Sequence, residues 1–167
     1  MTKEDFIKFA SQGNSRVSVN KVIKNFEGSP LQVYKALNNK NSFLFESASN
    51  KGKWSRYSII GTESNEMIKV EDNKISYIND SKVEEIKTND PLDWIEKFYS
   101  KNKVINLPKD VPFSGGLVGY FGYETIRFIE NKLKVEKKDS LGVPDIFLFV
   151  CNEIIIFDNL KKCIHII

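Results

Sequence analysis

Three short stretches of the chain carry residue types that can do chemistry. Glu46-Ser47-Ala48 directly follows the apolar triplet Phe43-Leu44-Phe45. A carboxylate and a hydroxyl at a strand end can hold an ammonium group, and the same pair can instead cap the turn that follows. Trp54-Ser55-Arg56-Tyr57-Ser58 sets an arginine fork beside two aromatic rings. Such a set can hold a carboxylate or form a structural ion pair. The run Pro112-Phe113-Ser114-Gly115-Gly116-Leu117-Val118-Gly119-Tyr120-Phe121-Gly122-Tyr123-Glu124 contains four of the nine glycines. Glycine at that density weakens a strand, so its use is a backbone that must turn or be closely approached. The spacing is neither the dinucleotide fingerprint nor a P-loop, because no G-x-G-x-x-G and no Gly-Lys-Ser/Thr occurs.

Other chemistries are excluded by what is scarce. The single histidine, His165, lies between isoleucines and reads as a strand residue, which leaves a hydrolase triad without its base. Cys151 and Cys163 fall in strand-like segments and read as buried thiols; neither a disulfide scaffold nor a zinc site is expected. The adjacent acids Glu84-Glu85 read as solvated, and no acid cluster suggests a metal. Basic charge is carried by lysine, and arginine occurs only at Arg16, Arg56 and Arg127. Arginine kept against such a bias points to a need for its planar fork. By residue types and spacing alone, this is a binding or regulatory domain and not a complete enzyme.

The elements that must position these residues are legible from caps and periodicity. Thr2, Ser29-Pro30 and Asp90-Pro91 start helices, with Leu31, Tyr34 and Leu37 on the second and Trp94, Ile95 and Phe98 on the third. Strands are expected over Arg16 to Ile23, Phe43 to Phe45, Arg56 to Ile60, Leu117 to Phe121, Ile146 to Val150, Glu153 to Phe157 and Cys163 to Ile167. Met67 to Val70 and Ile75 to Ile78 form a hairpin around Glu71-Asp72-Asn73-Lys74, with Val83 to Lys87 as a third strand. Glu124 to Asn131 is expected to be helical. The fold class is α+β: mostly antiparallel, sandwich-like sheets with packed helices.

The 167 residues suit one domain with a hydrophobic core. The net charge of +3 is small and its lysines are scattered among acids, so no nucleic-acid partner is expected. No apolar run is long enough to cross a membrane, and Met1 to Asp5 has no signal-peptide character, which makes the cytoplasm the expected compartment. The chain stops inside the apolar stretch Cys163-Ile164-His165-Ile166-Ile167, which leads one to expect a longer protein.

Taken in order, Ser29-Pro30-Leu31-x-x-Tyr34, Phe43 to Ala48, Trp54 to Gly61, Pro112 to Glu124, Pro144-Asp145-Ile146 and Glu153 to Asp158 resemble the N-terminal domain of the large subunit of anthranilate synthase, component I. The related large subunit of aminodeoxychorismate synthase shares the glycine-rich segment, and a free-standing amino-acid-binding module is the remaining alternative. The resemblance implies that residues 1–167 are a regulatory domain, with the catalytic, chorismate-binding domain lying C-terminal to them. The whole subunit would convert chorismate and ammonia to anthranilate and pyruvate with magnesium, whose site would not be in this chain. A glutamine amidotransferase subunit (component II) would supply the ammonia. The resemblance also implies feedback inhibition by L-tryptophan, with Ser47 as the contact residue, Glu46 and Ala48 beside it, and Arg56 as the nearby basic group. Phe45 stands where the family usually has leucine. The glycine-rich run is expected to pack at the interface with the catalytic domain.

Overall fold

A computed structural model describes residues 1–12, 16–37, 39–46, 56–133 and 142–167. The chain divides into two compact units: Met1–Ser64, Asn102–Gly116 and Cys151–Ile167 form the first, and Asn65–Lys101 with Leu117–Val150 form the second.

The first unit begins with α1 (Lys3–Ser11), where Thr2 and Asp5 cap each other reciprocally. The expected strand from Arg16 to Ile23 is broken in two. β1 (Arg16–Val17) runs parallel to β8 (Val104–Ile105), and β2 (Lys21–Lys24) lies at the edge of a different sheet. That sheet is antiparallel, in the order β2, β12 (Cys163–Ile166), β11 (Ile154–Asp158), β4 (Tyr57–Gly61), β3 (Phe43–Phe45). α2 (Pro30–Leu37) starts where the cap signal placed it, with Ser29 Oγ accepting from the Gln32 N–H and Gln32 Oε1 accepting from the Ser29 N–H. Its Val33 and Tyr34 pack on Ile60, Phe157 and Ile164, which form this unit's core with Ile23, Leu44 and Ile155.

The second unit is built on a five-stranded antiparallel sheet in the order β7 (Lys82–Lys87), β6 (Lys74–Asn79), β5 (Glu66–Glu71), β10 (Ile146–Cys151), β9 (Gly116–Phe121). The predicted hairpin is present, turning at Asp72-Asn73 with Asp72 in the left-handed region at φ 52°. α3 (Pro91–Lys101), capped by Asp90 Oδ1 accepting from the Asp93 N–H, lays Ile95, Leu92, Trp94 and Phe98 on Ile68, Val70, Ile75, Ile146 and Leu148. The α+β expectation therefore holds, with β1 and β8 as a parallel exception. The segment expected as a helix from Glu124 to Asn131 is instead a 3-10 helix over Tyr123–Phe128, followed by a second over Asn131–Leu133. Among the described residues, no helix is long and apolar enough to cross a membrane.

The arginines are used as their scarcity suggested. Arg127 bridges Asp145 and Asp72, and Asp145 Oδ2 also accepts from the Asp72 N–H at 2.8 Å. The Asp145 carbonyl in turn accepts from the Gly122 N–H at 2.7 Å. Pro144-Asp145-Ile146 thus ties the 3-10 segment to the β5–β6 turn. Gly119, in the part of the glycine-rich run that belongs to this unit, has its own explanation. A Cβ on Gly119 would come within 1.9 Å of the Phe147 carbonyl oxygen on β10. The neighbour is backbone and cannot swing away, so a bare Cα at this position is required by the sheet itself. Gly119→Ala is expected to cost at least about 2 kcal/mol, by forcing β9 away from β10. A thermal melt superimposable on that of the parent would contradict this account.

Candidate functional site

β3 and β4 pair antiparallel with Phe45 opposite Ile59, so Glu46 leaves the end of β3 while Arg56 enters the start of β4. These two residues are the described ends of one connection. Ser47 and Ala48, with Trp54 and Ser55, lie outside the described residues. Glu46 is exposed, and so is Phe45, whose ring lies 4.7 Å from that of Phe43. An exposed carboxylate can meet an ammonium group, and exposed aromatic surface can meet an apolar body.

Arg56 is committed to an ion pair within the first unit. Its Nε donates to Asp158 Oδ1 at 3.0 Å and its Nη2 to Asp158 Oδ2 at 2.6 Å. The guanidinium also lies over the Tyr57 ring at 4.7 Å. Of the two readings open from the sequence, the structural ion pair is the one formed. Sequence reasoning does not single out Asp158, which enters only as the end of the stretch Glu153 to Asp158, and 102 residues separate it from its partner. The available signal was the fork itself, since an arginine kept among lysines needs a carboxylate to face.

Asp158 is almost fully buried, at 1% exposure, and accepts four hydrogen bonds. Besides the fork, Oδ1 accepts from the N–H groups of Leu160 and Lys161, at 3.1 and 2.9 Å, in the turn between β11 and β12. Burial opposes the charge on this carboxylate. The Arg56 fork and the turn N–H groups outweigh it and hold the carboxyl below its usual range. The same hydrogen bond raises Arg56. Beside the pair, the Tyr57 hydroxyl donates to the Asp110 carbonyl at 3.1 Å and Lys161 Nζ lies 3.1 Å from Asp110 Oδ2.

Asp158, Cys163 and His165 bring one ligand atom each within 4.8 Å of one another, all buried. Cys163 Sγ lies 3.7 Å from His165 Nε2. Both oxygens of Asp158 already accept from Arg56, so a cation there would have to displace a guanidinium. The set does not fit magnesium, which takes oxygen ligands in an octahedron.

Comparison with known proteins places these residues in a context. Curated sequences named anthranilate synthase component 1 are similar to the chain over its whole length, with 39% identity over 171 residues for that of Pseudomonas putida and 33% over 172 for that of Neisseria meningitidis serogroup B. That of Acetivibrio thermocellus is 37% identical over 83% of the chain. The chain spans about a third of the length of these relatives, 34% for the first and 35% for the second. A crystal structure of anthranilate synthase component I from Streptococcus pneumoniae matches 90% of the chain and 32% of its own, at 25% identity and a TM-score of 0.55. No protein-family model matches the chain.

The buried pair carries a pH signature. Asp158's folded value is depressed, so its contribution is complete above the unfolded carboxyl's titration near pH ~4 and is lost as pH falls through the folded value. Asp158→Asn is expected to destabilise the protein at pH 7, because it removes the charge that faces Arg56, and to flatten the acid limb of the stability curve. Parallel acid limbs for parent and variant in urea titrations would refute the assignment.

Proposed function

We propose that this chain, homologous over its whole length to part of anthranilate synthase component 1, is the tryptophan-sensing regulatory portion of such a subunit. The observation that carries the reading is the match, over the whole chain, to sequences of that name, each about three times as long as the chain. The whole subunit turns chorismate and ammonia into anthranilate and pyruvate. Ammonia comes from a glutamine amidotransferase subunit, component II. Chorismate and magnesium are held outside this chain, by a C-terminal catalytic domain.

In this reading the β3–β4 connection receives L-tryptophan. Glu46 faces the ammonium group, Ser47 and Ala48 meet the amino-acid backbone, and apolar side chains cover the indole, whose burial is worth a few kcal/mol. Arg56 contributes differently from a free carboxylate clamp. With Nε and one hydrogen of Nη2 committed to Asp158, it holds the far end of the connection in place and has Nη1 and the second Nη2 hydrogen left to offer. Inhibition follows if the tryptophan-bound conformation binds chorismate less well, and by linkage chorismate then weakens tryptophan by the same factor.

The test is anthranilate fluorescence from the full-length gene product fed chorismate, ammonia and magnesium, with and without tryptophan. Product formation that tryptophan suppresses is expected. Ser47→Phe should then raise the half-inhibiting tryptophan concentration about tenfold or more, with uninhibited turnover within about twofold of the parent. No anthranilate from a folded protein, or parental sensitivity in the Ser47 variant, would remove the reading or its site respectively.

A further inference from the structure

Three stretches far apart in the chain meet beside the start of β4, and their contacts close into a circuit. Arg56 Nε and Nη2 donate to Asp158. Asp158 Oδ1 accepts from the Lys161 N–H at 2.9 Å, and Lys161 Nζ reaches Asp110 Oδ2 at 3.1 Å. The Asp110 carbonyl accepts from the Tyr57 hydroxyl at 3.1 Å. Tyr57 follows Arg56 in the chain, and its ring lies 4.7 Å from the guanidinium, which completes the circuit. The main chain adds one more tie, with the Arg56 carbonyl accepting from the Asn159 N–H at 2.9 Å.

The links differ in strength. Asp158 is buried, whereas the side chains of Asp110 and Lys161 are half-exposed. The Lys161 ammonium holds the Asp110 carboxyl below its usual range. An exposed pair of this kind adds little to stability on its own. Its place in the circuit gives it another use. Asp110 lies in the stretch Asn102–Gly116 of the first unit. The ion pair and the Tyr57 hydroxyl pin that stretch to the point where Arg56 enters β4.

We propose that Tyr57, Asp110 and Lys161 are positioning residues for the amino-acid site: they touch no ligand, and they fix the Arg56 end of the β3–β4 connection so that a ligand meets it already ordered. The inference rests on the reading of that connection as a tryptophan site. Its physical ground is entropic. A connection with a loose end must be ordered when the ligand arrives, and each side chain immobilised at that moment weakens binding. Arg56 is held between Asp158 and the Tyr57 ring, so its ordering is done on folding and its remaining guanidinium hydrogens keep their direction. Because one link is a half-exposed ion pair, the positioning weakens as ionic strength rises.

The test titrates tryptophan into the full-length subunit fed chorismate, ammonia and magnesium, with anthranilate fluorescence as the readout. Tyr57→Phe deletes one hydroxyl, and Lys161→Met deletes one ammonium. Each is expected to raise the half-inhibiting tryptophan concentration about threefold to tenfold. The double variant should show less than the product of the two shifts, because both links belong to one circuit. Added salt should desensitise the parent more than it does Lys161→Met. Loss of folded protein lowers the rate and leaves the half-inhibiting concentration where it was, so misfolding does not imitate the result. A parent that tryptophan does not inhibit removes the tryptophan reading, and this inference with it. An inhibited parent with either Tyr57→Phe or Lys161→Met at parental sensitivity overturns the positioning role alone. So do shifts that multiply fully in the double variant, or a salt response shared equally by the parent and Lys161→Met.

Discussion

Asp158 carries a negative charge where almost no water reaches it, and the first unit is organised to tolerate that charge. An isolated carboxylate in such a place would protonate or unfold its surroundings. Here four donors converge on it, two from one guanidinium and two from the turn it begins. The result joins the first residue before β4 to the end of β11, two strands that also pair along their length from Asp158–Tyr57 to Ile154–Gly61. Without the pair, the start of β4 and the β11–β12 turn would lose their common fixed point. The second unit repeats the device at lower burial, with Arg127 spanning Asp145 and Asp72. In each unit an arginine ties a strand end to a turn, through a two-pronged fork at Arg56 and through Nη2 alone at Arg127.

Local signals were legible in the chain because their causes are local. Thr2, Ser29 and Asp90 cap helices through contacts three residues away, and each does so as expected. The β5–β6 turn needs only Asp72-Asn73 to be recognised. Non-local facts were not legible. The stretch from Arg16 to Ile23 alternates like one strand, but Val17 and Val22 serve different partners, β8 and β12. Tyr123–Phe128 has helical spacing, yet Gly122 and Thr125 are bound to the Asp145 carbonyl and the segment tightens to a 3-10 helix.

The candidate site divides along the same line. Glu46 and Arg56 stood out by residue type, and they bracket a single connection. Arg56's partner could not be read, because nothing near it in sequence marks Asp158. Ser47 and Ala48 rest on family resemblance and lie outside the described residues. In the glycine-rich run, Gly119 has a reason within its own sheet, the Phe147 carbonyl, which its spacing in the sequence does not reveal. Asp110 and Lys161 carry no signal at all, since two exposed charges 51 residues apart are paired only by the fold.

The chain passes between its two units four times, at Ser64–Asn65, Lys101–Asn102, Gly116–Leu117 and Val150–Cys151. β11, the middle strand of the first unit's sheet, lies in the last of those segments. As the polypeptide leaves the ribosome, β4 emerges about a hundred residues before β11, the strand it must flank, and Arg56 before the carboxylate that neutralises its environment. The second unit's segments are complete by Val150 and can fold while the first still waits. The apolar residues Leu44, Ile59 and Ile60 are meanwhile without their cover. Such long-range closure is slow, and the waiting interval is when nascent chains aggregate or recruit chaperones.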